Sequence, residues 1–137
     1  MRAVLADTGP LYATVDPDDQ YHARSQADLE QLDRDNLAVF VPYPVYLEAY
    51  SLVLYRLGSE KAILFAQEII EGADLINPSQ SDYLAATQLT TRFPDQRITL
   101  FDAVTAVMSE RLNLPVWTYD YHFDVMQVSV WRNTQTN

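Results

Sequence analysis

Short apolar runs recur along the chain and are separated by longer segments with helical spacing. Residues 3–6 read Ala-Val-Leu-Ala and end at Asp7, a pattern typical of a strand that is buried on both faces. Pro42 closes a similar run at residues 38–41, because proline cannot continue a central strand. The predicted strands cover residues 3–6, 38–41, 74–77 and 115–118, with an edge strand within 125–131.

The segments between these runs have the spacing and the terminal residues of helices. Pro44 suits the first turn of a helix, where its missing N–H costs little, and Gly58 suits the end of the same helix. Ser59 is expected to cap the next helix, and residues 79–82 (Ser-Gln-Ser-Asp) resemble a capping box. The predicted helices cover residues 11–15, 20–34, 44–57, 59–71, 79–93 and 100–113.

Strands that alternate with helices predict a mostly parallel sheet with helices on both faces. The expected fold is α/β, a three-layer α/β/α sandwich with a central, mostly parallel sheet. A length of 137 residues with 48% hydrophobic residues suits one packed domain. No internal repeat, linker or low-complexity segment divides the chain. We therefore expect one domain over residues 1–131 and a short polar tail over residues 132–137.

The chain is strongly acidic, with 9 Lys and Arg against 19 Asp and Glu and a formal net charge of −10. Such a charge repels nucleic-acid backbones at long range, but it suits bound cations or a basic protein partner. The absence of cysteine excludes disulfides, thiolate zinc sites and cysteine nucleophiles, and it fits a reducing cytoplasm. No apolar stretch is long enough to cross a membrane, and Asp7 comes too early for a signal peptide. A cytoplasmic protein is expected.

Several carboxylates occupy similar positions relative to the predicted strands. Asp7 follows the first strand, Asp120 follows the fourth, and Asp102 lies in the first turn of the helix before the fourth. Glu48 lies one turn into the helix after the second strand. Because ligands bind at the carboxyl ends of strands in open α/β sheets, we expect these acids to face one cleft.

Each acid taken singly also has an ordinary structural explanation. Asp7 could cap the helix that follows it, Asp102 could complement a helix N-terminus, and Asp120 could belong to a turn. Glu48 could be a surface residue, but the apolar side chains beside it indicate a charge that needs a partner. The informative feature is therefore their common position and not any one of them.

Clustered carboxylates repel one another unless cations lie between them. Two like charges about 4 Å apart cost about 4 kcal/mol at an effective dielectric constant of about 20. Oxygen ligands favour Mg²⁺ or Mn²⁺ over zinc. Such an ion binds a phosphate oxygen, lowers the pKa of water and neutralises the leaving oxygen, which is the chemistry of phosphodiester hydrolysis.

Segments along most of the chain, taken in order, resemble the PIN domain family. Residues 4–11 (Val-Leu-Ala-Asp-Thr-Gly-Pro-Leu) are similar to the family's opening strand and its Asp-Thr or Asp-Ser pair. Residues 44–48 (Pro-Val-Tyr-Leu-Glu) match the region of its helical Glu. Residues 99–108 carry an Asp-Ala pair that opens a helix, and residues 115–123 carry a strand ending in Thr-x-Asp with Phe three residues later. The resemblance covers about residues 1–131.

The resemblance implies a metal-dependent nuclease, most often an endoribonuclease that hydrolyses RNA. Many bacterial members are VapC-type toxins of type II toxin–antitoxin pairs, which bind a small antitoxin protein and assemble as homodimers. The cofactor would be Mg²⁺ or Mn²⁺. Thr8 or Thr118 would donate a hydroxyl group to the acidic cluster, and Asp124 is a further candidate acid. The implied catalytic residues and metal ligands are Asp7, Glu48, Asp102 and Asp120.

Basic residues are scarce for an RNA-binding protein, since Lys61 is the only lysine. The scarcity leaves open a second function, a PIN-fold binding module with weak or lost nuclease activity. A third alternative is a phosphatase with Asp7 as nucleophile, although Gly9 stands where a second Asp would be expected. The triplet Asp-Thr-Gly of aspartic proteases is disfavoured because the chain is predicted to be rich in helix. The candidates for phosphate contact are Arg56, Arg92 and Arg97.

Overall fold

The computed structural model describes residues 2–134. Within this part of the chain, one sheet contains five strands, and every pairing between neighbours is parallel. The parallel sheet expected from the sequence is confirmed. The spatial order is β3-β2-β1-β4-β5. The strands are β1 (Ala3–Ala6), β2 (Ala38–Pro42), β3 (Asp74–Ile76), β4 (Val116–Trp117) and β5 (Val130–Trp131).

Helices cover both faces of the sheet. They are α1 (Thr8–Val15), α2 (His22–Arg34), α3 (Tyr43–Leu57), α4 (Ser59–Gly72), α5 (Gln80–Thr90), α6 (Leu100–Leu112) and α7 (His122–Val125). Val4 and Ala6 of β1 pack with helices α1 to α4, whereas Leu5 between them packs with α5 and α6. Successive side chains of a strand point to opposite faces, so a strand buried throughout needs cover on both. The three-layer α/β/α sandwich is confirmed.

Some element boundaries differ from the sequence prediction. Helix α1 begins at Thr8 and not at residue 11, because proline at position 10 is compatible with the first turn of a helix. The segment 125–131, predicted to supply an edge strand, pairs with β4 only at its end, and α7 before it was not predicted. Gly58 and not Ser59 precedes the first helical residue of α4, and its φ of 95° favours glycine.

An ion pair with a buried carboxylate joins α5 to α6. The side chain of Asp82 is only 2% exposed and accepts hydrogen bonds of 2.8 and 2.7 Å from the guanidinium group of Arg111. The same carboxylate accepts a bond of 2.9 Å from the backbone N–H of Ser79, which completes the predicted capping box. The guanidinium group holds the pKa of Asp82 below its ordinary value.

The predicted boundary between a domain at 1–131 and a polar tail at 132–137 stays a prediction. Asn133 is buried, and its amide group donates a hydrogen bond of 3.2 Å to the carbonyl oxygen of Ala27 in α2. Met1 and residues 135–137 lie outside the described residues. None of the helices within residues 2–134 has the length and apolar character needed to cross a membrane.

The order of the strands creates a crevice between β1 and β4. The chain runs outward from β1 through β2 to β3, and then returns to the other side of β1 as β4. In open α/β sheets, ligands bind at the carboxyl ends of strands where the order reverses in this way. The backbone N–H of Asp7 donates a bond of 3.0 Å to the carbonyl oxygen of Trp117, which holds the two strand ends together.

Candidate metal centre

A cavity of about 520 Å³ opens at the carboxyl ends of β1 and β4. The four acids implied as metal ligands all line it, although they come from four separate parts of the chain. Asp19, from the loop before α2, also lines the cavity and was not predicted. The predicted acids in the lining are Asp7 after β1, Glu48 in α3, Asp102 in α6 and Asp120 after β4.

Thr118 links the acids that follow the two central strands. Its buried hydroxyl group donates a hydrogen bond of 2.8 Å to Oδ2 of Asp7. The oxygen of the same hydroxyl accepts a bond of 3.0 Å from the backbone N–H of Asp120. One threonine therefore sets the orientation of the Asp7 carboxylate and the path of the chain at Asp120.

Thr8 connects the first strand to Glu48. Its hydroxyl group donates a short hydrogen bond to Oε1 of Glu48, one turn into α3. The sequence indicated that Glu48 needs a partner among its apolar neighbours, and the partner is a residue 40 positions away. The bond leaves the second carboxylate oxygen of Glu48 available to the cavity.

Asp102 is positioned by the cap of its own helix. Thr99 precedes α6, and its side-chain oxygen accepts a bond of 3.1 Å from the backbone N–H of Asp102. The cap directs the first turn of α6, and with it the buried Asp102 carboxyl group, to the cavity. The pattern Thr99-x-x-Asp102 is a capping signal that the sequence prediction missed.

His122 lies beside the acids at the start of α7. Its backbone N–H donates a bond of 2.9 Å to Oδ1 of Asp120, and its Nδ1 lies 3.2 Å from the same oxygen. That nitrogen is buried and makes no hydrogen bond of acceptable geometry among the described residues. Asp102, Asp120 and His122 each offer one atom within 4.8 Å of the others, a spacing compatible with one metal ion.

The electrostatics of the cavity disfavour ionised carboxylates. Burial raises the pKa of Asp7 to about 7, and the charge of Asp102 adds to the effect. Burial also raises the pKa of Asp102 to about 6, with further contributions from Asp120 and Glu48. No Lys or Arg within the described residues forms an ion pair with these acids. A crowded set of oxygen donors that no Lys or Arg of the described residues neutralises by direct pairing fits a divalent metal ion.

Comparison with known proteins identifies the family. The family profile described as PIN domain matches residues 4–128. The chain belongs to the PIN domain family. It is 30% identical over 109 residues to Ribonuclease VapC26 of Mycobacterium tuberculosis, and the alignment covers 79% of this chain and 78% of that protein.

Solved structures have the same fold as this PIN domain. Mycobacterium tuberculosis VapC20, described as a Sarcin-Ricin loop cleaving toxin, has a TM-score of 0.83 and 15% identity, covering 96% of this chain and 100% of that one. VapBC2 from Rickettsia felis, bound to a DNA fragment from their promoter, has a TM-score of 0.74 and 15% identity, covering 96% and 98%. At this level of identity the likeness concerns the fold.

The predicted phosphate-binding arginines of the PIN domain lie in different places. Arg56 of α3 lines the cavity, and its guanidinium carbon lies 5.0 Å from the ring centroid of Tyr12. Arg92 and Arg97 are exposed in the segment between α5 and α6 and do not line the cavity. Asp124, the further candidate acid, also lies outside the lining and binds Arg132 at 2.9 Å. Of the three predicted arginines, Arg56 alone lies close enough to contact a phosphate in this cavity.

Proposed function

We propose that this PIN domain is a metal-dependent endoribonuclease and the toxin of a type II toxin–antitoxin pair. The observation that carries the proposal is the convergence of the predicted acids in one cavity, where no Lys or Arg of the described residues forms an ion pair with them. The likeness to a protein named Ribonuclease VapC26 supports the choice of RNA as substrate. The proposal includes a cytoplasmic location, where RNA is abundant. The proposed ligands of Mg²⁺ or Mn²⁺ are Asp7, Glu48, Asp102 and Asp120.

Side chains of this protein would hold the metal ligands and the RNA phosphate in place. A divalent ion, when bound, supplies positive charge that stabilises the transition state of phosphodiester hydrolysis and lowers the pKa of water. Thr118 and Thr8 keep the carboxylates of Asp7 and Glu48 aimed at the cavity through their hydroxyl groups. Arg56 supplies the cation that would bind a phosphate of the RNA at the rim. No protein nucleophile is required, because water attacks phosphorus.

The metal requirement tests the proposed activity. Protein freed of metal by EDTA is expected to leave RNA oligonucleotides intact, and added Mg²⁺ or Mn²⁺ is expected to restore cleavage at internal bonds. Gel electrophoresis of end-labelled RNA measures both, and calorimetry of Mn²⁺ binding gives a second readout. Cleavage that persists in EDTA would contradict a metal-dependent mechanism. Mn²⁺ binding or RNA binding without cleavage under any condition would favour the alternative, a PIN-fold binding module.

The surface supports protein partners. Large apolar side chains are exposed on α4, on α5 and at an apolar depression lined by residues of α3, α5 and α6. Monomeric proteins seldom expose extended apolar patches. A net charge of −10 suits a basic antitoxin segment. The exposed residues are Ile63, Leu64 and Ile70 on α4, and Tyr83, Leu84, Leu100 and Phe101 on α5 and α6.

We expect a homodimer that also binds a small antitoxin. Light scattering of the purified chain is expected to give twice its mass of 15.7 kDa. Coexpression with a small basic protein encoded beside it is expected to give a larger complex. A monomeric mass at micromolar concentration would contradict the dimer, and failure to copurify with such a neighbour would contradict the antitoxin.

A further inference from the structure

Aromatic side chains form one wall of the cavity that holds the acids. Tyr119 and Tyr121 flank Asp120 in the turn after β4, and Tyr21 comes from the turn that leads into α2. Tyr121 is 63% exposed, so the protein core does not account for its position. We refer to Tyr21, Tyr119 and Tyr121 as the tyrosine wall.

Buried hydrogen bonds hold part of the tyrosine wall in a fixed orientation. The hydroxyl group of Tyr119 donates a bond of 2.6 Å to Oδ2 of Asp28, which lies buried in α2. The indole N–H of Trp117 donates a bond of 3.0 Å to the same oxygen. The rings of Tyr21 and Tyr119 contact each other, with centroids 4.8 Å apart and an angle of 39° between their planes. Rings held in this way lose little conformational entropy when a flat ligand binds.

A cation lies against the tyrosine wall. The guanidinium carbon of Arg24 is 4.4 Å from the ring centroid of Tyr119 and 5.9 Å from that of Tyr21. Arg24 forms no ion pair with a carboxylate in the part of the chain that is described. Arg24 therefore keeps its positive charge beside an acidic cavity, where it would attract an anionic ligand.

The tyrosine wall, the arginine against it and the acidic cavity together suit the binding of an unpaired nucleotide. Nucleobases stack on aromatic rings whatever their sequence, and an arginine binds the adjoining phosphate. A base inside a duplex has both faces covered by its neighbours and cannot stack on the protein. We propose that the tyrosine wall binds an unpaired base next to the scissile phosphate, with Arg24 contacting the backbone. This inference rests on the proposed function.

Binding measured without cleavage tests the tyrosine wall directly. Asp7→Asn protein with Mg²⁺ is expected to bind a fluorescent single-stranded RNA more tightly than the same sequence in a duplex, as followed by anisotropy. Adding Tyr121→Ala is expected to weaken single-strand binding by about tenfold and to leave duplex binding unchanged. Tyr121→Phe keeps the ring and is expected to stay within about twofold. The matched control is Tyr55→Ala, because Tyr55 is 89% exposed on α3 and does not line the cavity.

Kinetics separate the failure of this inference from the failure of the proposed function. In otherwise unchanged protein, Tyr121→Ala is expected to raise KM for single-stranded RNA by about tenfold while kcat stays within a few-fold, because stacking positions the substrate. Metal-dependent cleavage with an unchanged KM in Tyr121→Ala would contradict base binding by the tyrosine wall, while the proposed nuclease activity would be retained. Equal cleavage of single-stranded and duplex RNA would also overturn it. Absence of both RNA binding and cleavage in the unmodified protein would overturn the two proposals together.

Discussion

Asp7→Asn is expected to lower kcat for RNA cleavage by about a hundredfold or more. Asp7 is a buried acid at the carboxyl end of β1, and it lies in the same cavity as Asp102 and Asp120. The amide keeps the shape of the side chain and can still accept the hydrogen bond from Thr118, so the change removes mainly negative charge. Loss of that charge weakens the capture of divalent ions. Single-turnover cleavage and Mn²⁺ calorimetry measure the two consequences.

Unfolding is not the expected cause of this loss, because the same substitution is expected to stabilise the metal-free protein. The pKa of Asp7 is raised to about 7 and that of Asp102 to about 6, so the folded state holds protons that the unfolded chain releases. The protonated carboxyl groups stabilise the folded state fully below the ordinary pKa near 4, and this stabilisation is lost as the pH rises to about 7. At pH 8 in EDTA, Asp7→Asn should therefore raise the free energy of unfolding by on the order of 2 to 4 kcal/mol. Near pH 4 the two proteins should be alike.

Asp124→Asn provides the matched control for activity. Asp124 is an exposed acid of α7 outside the cavity, paired with Arg132, so its loss should leave cleavage within a few-fold. Similar losses in the two variants would indicate an effect of net charge and not a metal site. A cleavage rate of Asp7→Asn close to that of the unmodified protein would contradict the proposed set of metal ligands.

Arg111→Met is expected to lower the free energy of unfolding by about 3 kcal/mol at pH 7. The substitution leaves the carboxylate of Asp82 buried between α5 and α6 without its cation, although Ser79 still donates to it. Arg111 is 46% exposed, so solvent reduces the cost relative to a fully buried pair. The methionine keeps most of the apolar stem. Urea unfolding followed by circular dichroism gives the value.

Arg132→Met is the matched control, because it also removes an arginine that binds one carboxylate through two hydrogen bonds. Here the side chains of Arg132 and Asp124 are 57% and 50% exposed, and the expected loss is below about 1 kcal/mol. The lowered pKa of Asp82 adds a second check. The ion pair stabilises the folded state above the ordinary pKa of Asp near 4, and this stabilisation is lost as the pH falls through the lower pKa that Asp82 has in the folded state. The effect of Arg111→Met on the free energy of unfolding should therefore shrink in acid. Equal losses in the two variants would contradict the role given to burial.

The strands and most helices follow from local sequence patterns. The apolar run that forms β1 places side chains on both faces of the sheet, because the side chains of a strand alternate between its two faces. An unbroken apolar run therefore predicts a strand that is buried on both faces. The weaker predictions concern short elements. Helix α7 has only four residues, and the helical pattern needs a longer segment to be recognised. Strand β5 has only two residues, and its pairing with β4 is a long-range contact.

The acids of the candidate site were visible because each stands at the end of a recognisable element. Their partners Thr8 and Thr118 were named only through the family resemblance, since a hydroxyl group has no distinctive spacing. The bond from Thr8 to Glu48 spans 40 positions and that from Thr118 to Asp7 spans 111, so neither choice of partner follows from local pattern. The tyrosine wall was missed for the same reason.

The sequence by itself determined the α/β class, the parallel sheet and which acids stand at strand ends or in first helical turns, because these depend on near neighbours and on alternation. Only the tertiary structure decided that the acids share one cavity, that Arg56 lines it while Arg92 and Arg97 do not, and that tyrosines form its wall. The physical reason is that the strand order brings β4 beside β1. The sheet must form before side chains so far apart in the chain come close together. The burial that raises the pKa of Asp7 and Asp102 likewise requires the folded sheet.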